Sequence, residues 1–464
     1  MRRFDVIVIG AGQAGPSLAA RFDARGMSVA LVERKLLGGT CVNTGCMPTK
    51  TLVASARAAW TARHAADYGV VLEGAVGIDM KKVRARAATV TRNAREGLES
   101  WLKGMKHVTV LEGHARFESA ATLRVQSGAA DEVIGAERIF VNVGGRASIP
   151  PMPGLEAVPY LTNTAMVELD TLPRHLVILG GSYVALEFAQ MYRRFGSEVT
   201  VVERGPRLVS REDEDVSEAI KSILEREGVT VVLGAEHVAF SPGPGGDGTT
   251  VKIGAAADVR SAHASHVLVA VGRRPNTDDL GLDRAGVELD ARGYIVVDDQ
   301  LRTNVKGIWA MGDCNGRGAF THTAYNDFEI VAANVLDDDP RRVSDRIDTY
   351  ALYIDPPLGR AGMTETQARK SGRPLLIGTR PMTRVGRATE RGETQGFIKI
   401  IADAETKKIL GASILGIEGD EAIHGILDIM YAGAPYTTLQ RSMGIHPTVS
   451  ELLPTVLGDL KPVT

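Results

Sequence analysis

The chain has 464 residues, too many for one hydrophobic core, so about two to four domains are expected. Its formal net charge of −2, with acidic and basic side chains interspersed, gives no electrostatic ground for nucleic acid or an anionic membrane as partner. Three cysteines are too few for a secreted disulfide framework and fit a reducing cytosol, where a closely spaced pair is more often catalytic or metal-binding than structural. The opening MRRFDVIVIGAGQAG has two arginines before an apolar run, but that run is too short for a signal peptide and leads into a glycine motif. No apolar stretch approaches the roughly 18–20 residues that span a bilayer, so a soluble, cytoplasmic protein is expected.

Short β-rich runs alternate with Ala/Arg/Glu-rich helical segments, which predicts α/β architecture with parallel sheets. FDVIVIGAGQAG followed by SVALVER reads as strand, glycine turn, helix, strand. Gly10, Gly12 and Gly15 fit G-x-G-x-x-G, the pattern that brings backbone close to a pyrophosphate at a helix N-terminus. Glu33, about 20 residues on, ends the next strand, where a carboxylate would accept hydrogen bonds from an adenosine ribose.

Cys41 and Cys46 follow in GGTCVNTGCMPTK. In a regular helix their Cα atoms would lie about 8–9 Å apart, whereas a disulfide needs about 4.4–6.8 Å. A bridge would require a distorted turn, which Gly45 permits; two small buried residues suit the same spacing, and spacing alone leaves both open. In the helix expected next, Arg57, Trp60, Arg63 and His64 fall near one face. A solvated face is the expectation there, with an entrance for an anionic substrate as the alternative.

The strand, turn and helix pattern recurs in HLVILGGSYVALEF and EVTVVER. Gly180 and Gly181 are followed by Ser182 and Ala185 where the second and third glycines would stand, and Glu203 at the strand end suggests NADH. Arg204 and Arg207 keep NADPH open, although a solvated surface is their simpler reading. SPGPGGDGTT, 241–250, reads as a long turn within this unit. Gly312 and Asp313 close a short strand, where the carboxylate suits a ribitol or ribose hydroxyl. A helix is expected from near Thr323, its positive end suited to an anionic ring, with His322 as a structural hydrogen-bonder. Beyond DDDPRR, 337–342, the glycine patterns stop and a separate domain is expected; it contains His446 and Glu451 in GIHPTVSE, which suit an oriented acid/base only if the fold brings them together.

Together these motifs resemble, in order from Gly10 to Glu451, the pyridine nucleotide-disulfide oxidoreductases, the group of glutathione reductase, dihydrolipoamide dehydrogenase and mercuric reductase. The resemblance implies two Rossmann-like dinucleotide-binding domains and a C-terminal α+β dimerisation domain. It places an FAD-binding domain in 1–150 and 276–347, an NAD(P)-binding domain in 151–275, and the dimerisation domain in 348–464. It implies FAD and NADH or NADPH as cofactors and Cys41–Cys46 as a redox disulfide, Cys41 attacking substrate and Cys46 lying against the flavin. Lys50 matches a lysine near the flavin, Glu187 its ion-pair partner, and Tyr183 a ring covering the nicotinamide pocket. Gly39, Thr40, Gly180, Glu203, Gly272, Gly312 and Asp313 fall among the cofactor contacts. His446, oriented by Glu451, matches the acid/base given to the partner subunit of a homodimer. Cys314 matches no role and is expected to be a small buried residue.

The implied activity is electron transfer from NAD(P)H to a disulfide or a small thiol-reactive oxidant, with a metal-ion or metalloid reductase as the alternative. A docking subunit of a larger complex ranks last. No metal-ligand set is expected: TVLGDLKPVT lacks the paired cysteines of mercuric reductases, no CxxC domain precedes Gly10, and His446 stands where those enzymes have another residue. GGTCVNTGCMPTKTL and PMTRVGRA nevertheless look most like the mercuric-reductase-like and reactive-chlorine-resistance members.

Overall fold

The computed structural model describes residues 1–128, 130–255 and 258–463. Val6–Ile9 is almost wholly buried on both faces, as the centre of a parallel sheet requires. It lies mid-sheet in a five-stranded parallel array of order Ile308–Ala310, Arg138–Val141, Val6–Ile9, Val29–Glu33, Val108–Glu112. The second unit has a four-stranded parallel sheet of order Thr230–Val232, Glu198–Val202, His175–Leu179, His266–Val269. The chain from 349 onward contributes a six-stranded antiparallel sheet whose inner strands, Phe397–Asp403 and Ile409–Leu415, are buried almost throughout. Two parallel αβ units and one α+β unit are the expected fold class. Among the described residues no helix is long and apolar enough to cross a membrane.

Besides the short antiparallel pair Gly145–Ala147 with Arg273–Pro275, two further arrays among the described residues were not legible beforehand. One joins His114–Ser119, Thr122–Ser127 and Ala130–Gly135, with Arg2–Arg3 added in parallel. The other is the meander His237–Pro242, Thr249–Ala255, Asp258–Ala264, whose first hairpin absorbs both ends of the predicted 241–250 turn into strands. The helix expected near Thr323 starts earlier, at Thr321: the Thr323 hydroxyl exchanges hydrogen bonds with the Phe320 backbone, at 3.1 Å to its N and 2.8 Å to its O, closing the first turn behind it.

The face carrying Arg57, Trp60, Arg63 and His64 is solvated only in part: Arg63 is exposed and the Arg57 side chain is 39% exposed, yet both are tied to other parts of the chain. Arg57 pairs with Asp355 and, at 2.6 Å, with Glu393. Arg63 donates to the carbonyl of Arg194, and Trp60 stacks with the His64 ring at 3.7 Å and carries the Arg194 guanidinium 4.6 Å from its ring. Arg194, 5% exposed, binds Glu227 at 2.7 Å and also Asp355, so one buried carboxylate ties the Cys46–Arg63 helix, the Tyr183–Phe195 helix and the C-terminal unit together. Planar guanidinium forks suit such shared carboxylates.

Candidate active site

At the end of Val6–Ile9 the chain turns at Gly10, φ 102°, where a Cβ would stand 2.3 Å from the Asn142 carbonyl oxygen. A Cβ on Gly15 would meet the Gly10 oxygen at 2.2 Å, so Gly15 seats the Ala14–Asp23 helix against the strand. Gly39, φ 60°, places its missing Cβ 2.9 Å from the Gly12 Cα, bringing the two backbone walls of the cradle together. Neither this helix nor Tyr183–Phe195 has an acidic residue in its first turn, so both positive ends remain available to phosphate. The Glu33 carboxylate accepts from Ala11 N at 2.9 Å and Lys35 N at 2.8 Å, which fixes it at the cradle rim with lone pairs to spare. These groups fit a bound dinucleotide.

The cysteine turn is distorted as a close pair requires. Gly39–Asn43 is one short helix and Cys46–Arg63 another, with Gly45 between them at φ −129°, ψ −119°, packed so that a Cβ would meet the Thr40 oxygen at 2.8 Å. Cys41 and Cys46 are free thiols in the structure, close enough to shift each other's ionisation. The Cys41 contact, opposed by burial and aided by Thr321 and Lys50, holds the Cys46 thiol down at about 6, while the same contact and burial push Cys41 up. Cys46 also begins an 18-residue helix, and its Sγ lies 3.1 Å from the Thr321 hydroxyl at the start of a 16-residue helix. Two helix N-termini thus converge on one sulfur, the setting that favours a thiolate.

One turn further on, Lys50 Nζ contacts both Glu187 oxygens, at 2.7 and 3.0 Å, and lies 4.5 Å from the Tyr353 ring centroid. Glu187, 4% exposed, also accepts from Tyr353 N at 3.1 Å. In the second unit Gly180, φ 108°, repeats the Gly10 turn against the Ala270 oxygen, and Gly181 packs on the Glu203 side chain. Glu203 stands one residue past its strand and accepts from Gly205 N at 2.6 Å. Arg204 lines the cleft, whereas Arg207 turns to the Ser210 carbonyl at 3.2 Å. Asp313 pairs with Arg273 at 3.3 Å, burial pushing its carboxyl up and the arginine opposing. Cys314 is fully buried, donates towards the Val141 and Met311 carbonyls, and is pushed up to about 12 by burial. His322 Nε2 contacts the Thr349 carbonyl at 2.8 Å, in keeping with a structural role.

A single cleft of about 2340 Å³ gathers every predicted site residue except Gly15, His446 and Glu451. Gly15 lies beneath the cradle. His446 and Glu451 do meet, with Nδ1 2.9 and 3.1 Å from the carboxylate oxygens, but stand apart from the cleft on a face where Met443 and Ile445 are also exposed. Sequence reading missed Thr321, Tyr353, Asn142 and Arg273. Asn142 Nδ2 donates to the Gly10 oxygen at 3.2 Å, and its place just before Gly144 and Gly145 in VNVGG was the one available signal.

Residues 4–327 match the pyridine nucleotide-disulphide oxidoreductase family and residues 349–457 match its dimerisation domain. The chain belongs to this family and is an FAD- and NAD(P)H-dependent flavoprotein oxidoreductase. It is 36% identical over 463 residues, 98% of each chain, to the probable pyridine nucleotide-disulfide oxidoreductase RclA of Escherichia coli (strain K12). It is 32% identical to a dihydrolipoyl dehydrogenase of Geobacillus stearothermophilus, over 97% of this chain and 94% of that one. With a mercuric reductase of Staphylococcus aureus it shares 30% identity over 95% of its own length and 81% of the relative's. The solved Cu(II) complex of the HOCl-induced flavoprotein disulfide reductase RclA from Escherichia coli superposes with a TM-score of 0.89 at 35% identity, covering 99% of each chain.

Proposed function

We propose that this protein is a homodimeric enzyme that draws electrons from NAD(P)H and passes them through Cys41 and Cys46 to a disulfide or a small thiol-reactive oxidant. The observation that carries this is the convergence of two helix N-termini and the Thr321 hydroxyl on Cys46, with Cys41 beside it in the nucleotide cleft. In this reading residues 1–150 and 276–347 bind FAD, 151–275 bind the nicotinamide nucleotide, and 348–464 form the dimer contact. Bound FAD supplies the two-electron relay between the nicotinamide and the sulfur pair.

The chain's own groups then divide the work. The glycine cradles and Glu33, Glu203 and Asp313 hold the nucleotides; Lys50, fixed by Glu187, sets positive charge beside the sulfurs; Tyr183 covers the nicotinamide pocket. For a disulfide acceptor, Cys41 gives its proton to His446 of the partner subunit and attacks one acceptor sulfur; that S–S bond breaks, and the histidine protonates the leaving thiolate. The Cys46 thiolate next attacks the Cys41 sulfur, closes the internal disulfide and expels the second thiolate, which takes a proton from water. The dithiol is oxidised by two electrons and the acceptor is reduced to two thiols. Exposure of His446 outside its own cleft, backed by the half-buried Glu451, supports its service to the other subunit.

A second reading is reduction of a soft metal ion at the same dithiol, favoured by the copper complex of the RclA relative. Anaerobic NADH and NADPH oxidation with glutathione disulfide, lipoamide, mercuric ion and cupric ion separates the two. Turnover with a disulfide that collapses in His446→Ala supports the first reading; turnover with the metals alone, indifferent to that change, replaces it with the second. Mixing inactive Cys41→Ser subunits with inactive His446→Ala subunits should restore disulfide turnover, because each mixed dimer then holds one intact site. No restoration would place the histidine's work within its own chain.

A further inference from the structure

Tyr183 is held by rings from two other parts of the chain. Its ring meets Phe320 edge-on at 5.4 Å and 78°, and Tyr350 edge-on at 5.4 Å and 76°, while Phe320 and Tyr350 stack on each other at 5.6 Å. Phe320 caps the Thr321–Leu336 helix and Tyr350 lies on the C-terminal strand Thr349–Leu352. The Tyr350 hydroxyl is fixed in turn by Glu212, just before the Glu214–Arg226 helix. Arg360 is the cross-strand partner of Tyr350 and so projects from the same face, bringing its Nη1 to 3.6 Å from the second Glu212 oxygen. Glu212 and Arg360 are buried, and among the described residues neither that oxygen nor the Arg360 Nη atoms have a hydrogen-bond partner. The Tyr350 hydroxyl is thus the hydrogen bond that fixes this carboxylate, and a buried polar group with one partner is sensitive to its loss.

We infer that Tyr350, anchored by Glu212, is a positioning residue that latches Tyr183 over the nicotinamide pocket and thereby sets the affinity for the nucleotide. The inference rests on the reading of Tyr183 as the ring that covers that pocket. To admit a nicotinamide, Tyr183 must leave both edge-on contacts. Their strength is therefore subtracted from nucleotide binding, because apparent affinity scales with the fraction of protein already open.

The test is calorimetric titration of the oxidised holoenzyme with NAD⁺ and, in parallel, NADP⁺, where no turnover occurs. Tyr350→Leu fills the space without a ring and should tighten the better-bound nucleotide about fivefold, the size of one lost edge-to-face contact. Tyr183→Ala should tighten it at least as much, and adding Tyr350→Leu to it should change nothing, since the latch has then nothing to hold. Glu212→Gln strands Arg360 and lowers the melting temperature, yet keeps an acceptor for the tyrosine hydroxyl, so affinity should stay within about twofold of wild type. Unchanged or weaker binding in Tyr350→Leu, with Tyr183→Ala still tightening, overturns the latch and leaves the covering ring standing. If Tyr183→Ala does not tighten binding, the covering-ring reading itself fails. Should Tyr350→Leu not fold, Tyr350→Phe removes the hydroxyl alone and should tighten binding about twofold; unchanged affinity there also overturns the latch.

Discussion

Replacing Thr321 by valine keeps the shape of the side chain and removes the one hydroxyl that, among the described residues, touches Cys46, at 3.1 Å. A hydrogen bond to a charged acceptor contributes about 1.5–3 kcal/mol, and one pKa unit corresponds to about 1.36 kcal/mol. The loss should therefore raise the Cys46 thiol by about 1–2 units from its value of about 6. Because the native thiol is lowered, its thiolate prevails above about pH 6 and is lost on acidification; in the variant that loss begins at higher pH, near neutrality. The assay is the rate of iodoacetamide alkylation against pH, in a Cys41→Ser background where the serine keeps a hydrogen-bond donor and only Cys46 in the turn can react. A midpoint that rises by about a unit supports the converging-dipole account; one that stays or falls refutes the part given to Thr321.

Lys50→Met leaves a carboxylate that is 5% exposed without its cation and should cost about 3 kcal/mol in denaturant melts. Glu187→Gln leaves an ammonium that is 34% exposed and screened by water, and should cost only about 1 kcal/mol; the reverse order would refute the assignment of burial. Gly39→Ala should push the cradle walls apart, so the purified protein should show a reduced flavin-to-protein absorbance ratio; full FAD retention would mean the contact with Gly12 yields freely. Arg194→Met removes a guanidinium shared by Glu227 and Asp355 and should cost about 3–5 kcal/mol, seen as a lower denaturation midpoint; a loss below about 1 kcal/mol would show the network to be dispensable.

The sequence was most informative where function is written into a short stretch. Gly10, Gly12, Gly15 and Glu33 lie within one αβ unit, and Cys41, Gly45, Cys46 and Lys50 lie between residues 41 and 50, so each group could be matched to a family motif as a unit, although spacing alone left the cysteine pair open. At the helix face of Arg57, Trp60 and Arg63 the solvent exposure was legible but the partners were not: Asp355, Glu393 and Arg194 reach it only after the chain has folded, and a basic face with such partners has the same pattern as a solvated one. Thr321 was hidden by a two-residue error in where its helix starts, which turned a first-turn donor into a loop residue. Tyr353 presents its backbone N–H to Glu187, and no residue type advertises such a contact. The residues alone left open whether His446 and Glu451 meet; the resemblance supplied both their pairing and the expectation that they serve the partner subunit, and the structure shows the pair meeting away from its own chain's cleft.

Asp355 has a consequence for anyone recombining this protein with its relatives. It is contributed by the C-terminal unit, yet it receives guanidinium groups from the helix behind the cysteines and from the helix behind the second glycine turn. A chimera joined at the foot of the C-terminal unit would carry the aspartate from one parent and both arginines from the other. Where the parent supplying that part of the chain lacks both arginines, the chimera would bury an unmatched carboxylate beneath the far end of the cysteine helix. These three positions must travel as one block, although the longest gap between them spans 298 residues.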